Sequence, residues 1–214
     1  MRDYNLKPTV ITFTILIDVC AKSWDGGDLA RAEHYFDLMF HHNVKPIDKT
    51  FNALIDVCAQ NRYGGDLVKA EHFFGLMRNY NVEPNISTFN ALIDVCAKAW
   101  EGGDLTKADH YFQVMLEHNI EPDIVTFNSL IDVCAKSWNT ENLARAEHYF
   151  HLMLDYNVKP IDKTFNTLID VCAKTQDEGN LAKAEHYFQL MREHKVKPNE
   201  NTFNGLISVC AKSQ

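Results

Sequence analysis

Apolar residues recur along the chain at helical spacing, break off, and resume. Phe51, Leu54, Ile55, Cys58 and Ala59 fall at i, i+3, i+4, i+7 and i+8, which puts them on one face of an α-helix. Gly64-Gly65-Asp66 then predicts a turn whose aspartate is placed to cap a following helix. Leu67, Ala70, Phe74 and Met77 mark that second amphipathic helix, and Pro84 punctuates the link to the next segment. Strand-like alternation is missing, so the predicted element is a helix–turn–helix.

The element is repeated. Cys20, Cys58, Cys96, Cys134, Cys172 and Cys210 are each 38 residues apart, and Met1 to Met191 and Pro8 to Pro198 keep the same step. The stretch NVKPIDKTFNTLIDVCAK at 157–174 stands at 43–60 with two letters changed. A fixed period of this size marks stacked units, each too small to bury its own apolar face. The expected fold is an all-α solenoid forming one domain over 1–214. Its units run 10–47, 48–85, 86–123, 124–161 and 162–199, with partial units at 1–9 and 200–214. Such near-identity fits a recent duplication or a repeat design equally well.

Composition narrows the functions. Of 214 residues 46% are hydrophobic and 23% charged, enough for a packed core. No apolar run is long enough for a membrane span, and MRDYNLKPTV lacks the layout of a signal peptide. The net charge of −8 counts against nucleic acid until the charges are placed. Each cysteine falls on the apolar face of a first helix. Stacked helices lie about 8–10 Å apart, too far for a disulfide, so the cysteines read as reduced core residues of a cytosolic or organellar interior. His34, His72, His110, His148 and His186 read as a solvated ladder on the second helices, and Glu33-His34 is not the order of a zinc protease. Asn85-Ile86-Ser87 is a formal glycosylation sequon with no secretory signal to use it. Every candidate catalytic group recurs as a ladder, so no enzyme, metal or cofactor is expected.

Units such as VTFNSLIDVCAKSWNTENLARAEHYFHLMLDYNVKPI at 125–161 resemble pentatricopeptide repeats. The shared marks are Thr-Phe-Asn, Leu-Ile-Asp, Cys-Ala-Lys, the Ala-x-x-x-Phe-x-x-Met of the second helix, and Val-x-Pro before the next unit. Family units are usually shorter. The three extra residues here follow Cys-Ala-Lys, as in SWD (23–25), NRY (61–63), AWE (99–101), SWN (137–139) and TQD (175–177). The resemblance implies a right-handed superhelix with first helices lining its concave face, a location in mitochondrion or chloroplast, and binding of single-stranded RNA at about one base per unit. Helical repeats can read one splayed base each with two or three side chains.

By this resemblance, base choice comes from the residue after Phe and the residue after the following Pro. The pairs are Thr14/Ile47, Asn52/Asn85, Asn90/Asp123, Asn128/Ile161 and Asn166/Asn199, implying a purine-C-U-pyrimidine-C tract, 5′ to 3′. The chemistry is donor against acceptor: an Asp oxygen accepts from uracil N3–H, and an Asn amide donates to cytosine N3. Ile47 and Ile161 can do neither. The base-stacking or wedge positions are Ile11, Lys49, Ser87, Val125 and Lys163, of which Ile11 and Val125 alone are apolar. Stripes such as Asn90-Asp94-Lys98 share one helix face distinct from the apolar one. They make Lys22, Lys98, Lys136 and Lys174 candidates for phosphate contact on a near-neutral surface.

Trp24, Trp100 and Trp138 share one slot of the insertion and read as covers over the junction of paired helices, with base or partner stacking as the competing role. Two functions compete. One is a non-catalytic reader of single-stranded RNA; the other is a scaffold that holds a peptide or protein, or self-associates head-to-tail through ends without polar caps.

Overall fold

The computed structural model describes residues 7–23, 26–61, 63–100, 102–137, 141–174 and 180–212. Eleven helices follow one another: α1 Val10–Ala21, α2 Leu29–His41, α3 Asp48–Ala59, α4 Leu67–Asn79, α5 Ile86–Ala97, α6 Leu105–Glu117, α7 Ile124–Lys136, α8 Asn142–Asp155, α9 Asp162–Lys174, α10 Asn180–Glu193 and α11 Glu200–Lys212. Among the described residues there is no strand, only an isolated bridge between Gly65 and Ala99, and no helix is long and apolar enough to cross a membrane.

The two layers pack differently. Successive odd-numbered helices lie side by side from α1 to α11, while no even-numbered helix approaches the next even-numbered one through its backbone. Touching helices on one side and separated helices on the other curve a stack, so the odd-numbered helices form the inner, concave layer. The second helices are joined across the gap by side chains. Lys69 Nζ bonds Glu33 at 2.5 Å, Lys183 bonds Glu147 at 3.0 Å, and Lys107 and Arg145 reach Glu71 and Asp109 in the same way. Much of the acidic charge of the outer layer is thus matched by the cation of the following unit.

The core is the predicted face repeated. Phe51, Leu54, Ile55, Cys58 and Ala59 are all buried, as are their counterparts Phe89, Leu92, Ile93, Cys96 and Ala97. On the second helix the register differs slightly from the sequence expectation. Phe73 is the buried ring of α4, whereas Phe74 is half-buried and packs edge-on against Phe89 and Tyr111. Cys20, Cys58, Cys96, Cys134 and Cys172 are buried free thiols; Cys210 is exposed. Burial pushes the Cys58, Cys134 and Cys172 thiols up to about 12, which keeps them protonated and unreactive. The five ladder histidines are all exposed.

Two local devices set the repeat. Each second helix ends on a left-handed residue: Asn43, Asn81, Asn119, Asn157 and Lys195 have φ between 52° and 58°. The next residue then donates its N–H back into the helix, as Val82 does to Met77 O at 2.9 Å. Asparagine tolerates this conformation better than other residues with a Cβ. In the turn between helices, the Gly65 N–H donates to Lys98 O of the next unit at 2.5 Å, and Gly27 does the same to Gln60 O. A Cβ at Gly65 would stand 2.4 Å from Val95 O, so only glycine lets the turn approach the neighbouring helix end. Asp28, Asp66 and Asp104 then cap α2, α4 and α6, as the sequence predicts.

Trp100 is 74% exposed, so it does not cover the helix junction. The backbone of Trp100, not its ring, packs on Gly64. Trp24 and Trp138 lie outside the described residues.

Candidate nucleic-acid interface

The residue after each Pro becomes the N-cap of the next inner helix. Its extended backbone leaves the first turn's N–H groups to be met by its own side chain. Asn85 Oδ1 accepts from Thr88 N at 3.2 Å while Thr88 Oγ1 accepts from Asn85 N at 3.1 Å, a reciprocal capping box. Asp123 Oδ1 likewise accepts from Val125 N and Thr126 N. Ile47 has no side-chain cap bond, and Thr50 supplies its half of the box alone.

The residue after each Phe lies on the inner helix one step back, 33 positions earlier in the same unit, and meets the N-cap that ends the unit. Asn52 Nδ2 donates to Asn85 Oδ1 at 3.3 Å, Asn90 Nδ2 to Asp123 Oδ1 at 3.1 Å, and Asn166 Nδ2 to Asn199 Oδ1 at 3.1 Å. Three of the five sequence-predicted pairs are therefore hydrogen-bonded pairs. The other two are not: Ile47 and Ile161 offer no acceptor to Thr14 and Asn128. Thr14 turns to the Thr50 hydroxyl at 2.9 Å, and Asn128 is only 5% exposed.

A threonine that sequence reasoning passed over fixes these asparagines. The Thr88, Thr126, Thr164 and Thr202 hydroxyls donate to Oδ1 of Asn52, Asn90, Asn128 and Asn166 at 2.6–2.7 Å. With its oxygen turned to the threonine, each asparagine has a set orientation, its amide N–H directed away from that bond. The signal was available, since Thr precedes Phe in every unit, but there it stands only as part of the Thr-Phe-Asn mark. Asp48 and Asp162 were also missed: Asn85 Nδ2 donates to Asp48 Oδ2 at 2.8 Å and Asn199 Nδ2 to Asp162 Oδ2 at 2.9 Å.

The lysines of the inner face are not free cations. Lys22, Lys98, Lys136 and Lys174 pair with Asp18, Asp94, Asp132 and Asp170 one turn earlier, at 2.5–2.7 Å. Asp56 has Gln60 in the lysine's place. Burial, reinforced by Asp94 and Asp18 on either side, pushes its carboxyl up to about 6. The wedge positions all face outward; Ile11 and Val125 are 66% and 51% exposed, and Lys49, Ser87 and Lys163 are exposed as well. Among the described residues no three His, Cys, Asp or Glu side chains are grouped to hold a metal ion.

Comparison with known proteins places this geometry. The profile of the pentacotripeptide-repeat region of PRORP matches residues 6–150, and that of the pentatricopeptide repeat domain matches 164–213. No curated protein matches the sequence significantly. The fold is similar to the PPR domain of Arabidopsis thaliana protein-only RNase P 1 in complex with tRNA, with TM-score 0.69, 20% identity and 91% of this chain against 95% of that one. It is similar to the maize pentatricopeptide repeat protein PPR10, with TM-score 0.70 and 24% identity over the whole of this chain and 28% of that one. Against PPR10 in complex with an 18-nt psaJ RNA element the TM-score is 0.56, with 20% identity over 99% of this chain and 37% of that one. The chain thus spans about a third of the maize protein's length.

Proposed function

Because the chain belongs to the pentatricopeptide-repeat family, we propose that it binds single-stranded RNA along its inner helices, without catalysis, reading about one base per unit. The observation that carries this reading is the bond between the two residues of a pair, as in Asn90 Nδ2 to Asp123 Oδ1 at 3.1 Å. A base edge set against such a pair meets one fixed donor and one fixed N-cap side chain. Exposed Ile11 and Val125 stand where a base could stack, and Lys49 and Lys163 where a stem could lie flat and the ammonium reach phosphate. A tRNA in one similar structure and an 18-nt RNA element in another support RNA as the ligand.

The pairs favour a purine-C-U-pyrimidine-C tract, with weak discrimination opposite Ile47 and Ile161. Lys22, Lys98, Lys136 and Lys174 meet phosphate only by exchanging an aspartate for it, so each adds less to affinity and to its salt dependence than a free lysine would. Selection from a random single-stranded RNA pool at moderate salt tests the proposal. Enrichment of that tract, lost in Asn90→Ala and Asp123→Ala, is the expected result. No enrichment by a chain that is helical by circular dichroism would overturn it, and leave a scaffold for protein partners. Head-to-tail pairing of copies would cover exposed Ile15 and Val19 with exposed Phe203 and Ile207, and a sedimentation coefficient that rises with concentration would report it.

A further inference from the structure

The two units that end in asparagine carry a third polar residue that the pairwise reading leaves out. Asp48 opens α3 and Asp162 opens α9. Each reaches 37 residues forward, to the asparagine that ends its own unit. Asn85 Nδ2 donates to Asp48 Oδ2 at 2.8 Å, and Asn199 Nδ2 to Asp162 Oδ2 at 2.9 Å. The same slot holds Ile86 in the unit that ends in Asp123 and Ile124 in the unit that ends in Ile161. Among the full units, an aspartate thus stands in this slot only in the two that end in asparagine. A negative charge at the first helical position helps any helix, but that does not explain a bond to the far end of the unit.

The bonds leave a definite pattern of unused groups. In the unit of Asn52, the Asn52 oxygen is taken by Thr88, and one Nδ2 hydrogen is given to Asn85 Oδ1. One hydrogen of Asn52 remains. Asn85 spends Oδ1 on Thr88 and Asn52 and one hydrogen on Asp48, so one hydrogen remains there too. Asp48 keeps free lone pairs. The three groups are bonded in the order Asn52, Asn85, Asp48, and what they show is donor, donor, acceptor. Asn166, Asn199 and Asp162 repeat it. In the unit of Asn90, with Ile86 in the slot, what remains is one donor on Asn90 and the second oxygen of Asp123.

Donor, donor, acceptor is the complement of one base edge. Cytosine shows O2 and N3 as acceptors and N4–H as a donor, in that order. Uracil puts N3–H in the middle and O4 at the end, where it would meet a carboxylate. Building on the RNA-reading proposal above, we infer that Asp48 and Asp162 are specificity-determining residues that select cytosine over uracil as third members of the Asn52/Asn85 and Asn166/Asn199 sites. The second site opens on a cleft of about 450 Å3 lined by Asp162, Lys163, Asn166, Asp170, Asn199 and Asn201, so the three groups are reachable together.

The test measures affinity by fluorescence anisotropy for two single-stranded RNAs that differ only in carrying C or U opposite these two sites. The C form is expected to bind at least about tenfold tighter, as the loss of one charge-assisted hydrogen bond implies. Asp48→Ile with Asp162→Ile should lower that ratio several-fold, leaving what the asparagine pairs supply, while the helical circular dichroism and the base preferred opposite Asn90 stay put. Isoleucine is the residue this chain uses in the same slot at 86 and 124, so the variant is built to fold. Ile86→Asp added to Asp123→Asn should raise the C-over-U ratio opposite Asn90 several-fold above that of Asp123→Asn alone. If RNA binds and the C-over-U ratio is the same before and after these changes, the inference is overturned and the RNA reading stands. If neither RNA binds the unaltered chain, both fall.

Discussion

The Thr126 hydroxyl donates to Asn90 Oδ1 at 2.6 Å across the boundary between two units. The same oxygen accepts from the Asp123 N–H at 3.1 Å. One fully buried atom therefore caps a helix, joins two repeats and decides which way an amide faces. Thr126→Val keeps the shape and removes all three functions. It leaves the half-buried Asn90 oxygen and the Asp123 N–H without this partner, so unfolding free energy should fall by about 1–3 kcal/mol in a urea titration. On the RNA reading, discrimination opposite Asn90 should relax in the same variant.

Two glycines should respond in opposite directions to one substitution. Gly65→Ala places a methyl 2.4 Å from Val95 O, a backbone atom that cannot swing away. Gly75 lies inside α4 with nothing within 4 Å of a Cβ. Gly75→Ala should therefore stabilise the chain by about 0.5–1 kcal/mol, and Gly65→Ala should lower the melting temperature. Thermal unfolding followed by circular dichroism compares them directly.

Asp56 should make stability fall as pH rises. Its carboxyl is held near 6 in the folded chain against an ordinary value near 4, first by burial and then by Asp94 and Asp18. The folded state thus binds the extra proton between those values, and the favourable contribution is complete below pH 4 and lost as pH passes through 6. Asp56→Asn should gain on the order of 2 kcal/mol at pH 7.5 and close to nothing at pH 4. Urea midpoints of both proteins at the two pH values decide it.

The inner lysines should become better RNA ligands when released. Asp132 holds Lys136 at 2.7 Å. An exposed pair of this kind contributes little to stability, about 0–1 kcal/mol, so Asp132→Asn should fold normally. It should bind RNA more tightly and increase the salt slope by about one, since one more cation is free to displace a counterion. An unchanged slope between low and moderate salt would place Lys136 away from phosphate.

The fold is legible in the sequence because its signals are redundant. The face of Phe51, Leu54, Ile55 and Cys58 recurs every 38 residues, and the core of the structure is that face stacked. The difference between Phe73 and Phe74 is a rotation of about 100° between adjacent rings, and Phe74 still packs against the core. The candidate interface is less legible. Which residues form a pair follows from the family resemblance, but that Asn52 bonds Asn85 depends on the distance between neighbouring units, which no local pattern encodes. Thr88 looks like a cap and is also a clamp. Asp48 looks like a helix-start charge and is bonded to a side chain 37 residues away. Trp100 looked like a cover because it follows an apolar face, yet the turn carries it outward into solvent.

The inner helices touch and the outer ones are linked only through side chains such as Lys69 to Glu33. That makes the molecule a spring with a stiff spine and a compliant back. Pulled at its ends, it opens first along the outer spacing, at the cost of ion pairs and of ring contacts such as Phe36 with Phe73, while the inner packing keeps its length. Whatever lies along the spine thus meets a nearly fixed spacing, and because each unit touches only its neighbours the molecule gives way one unit at a time.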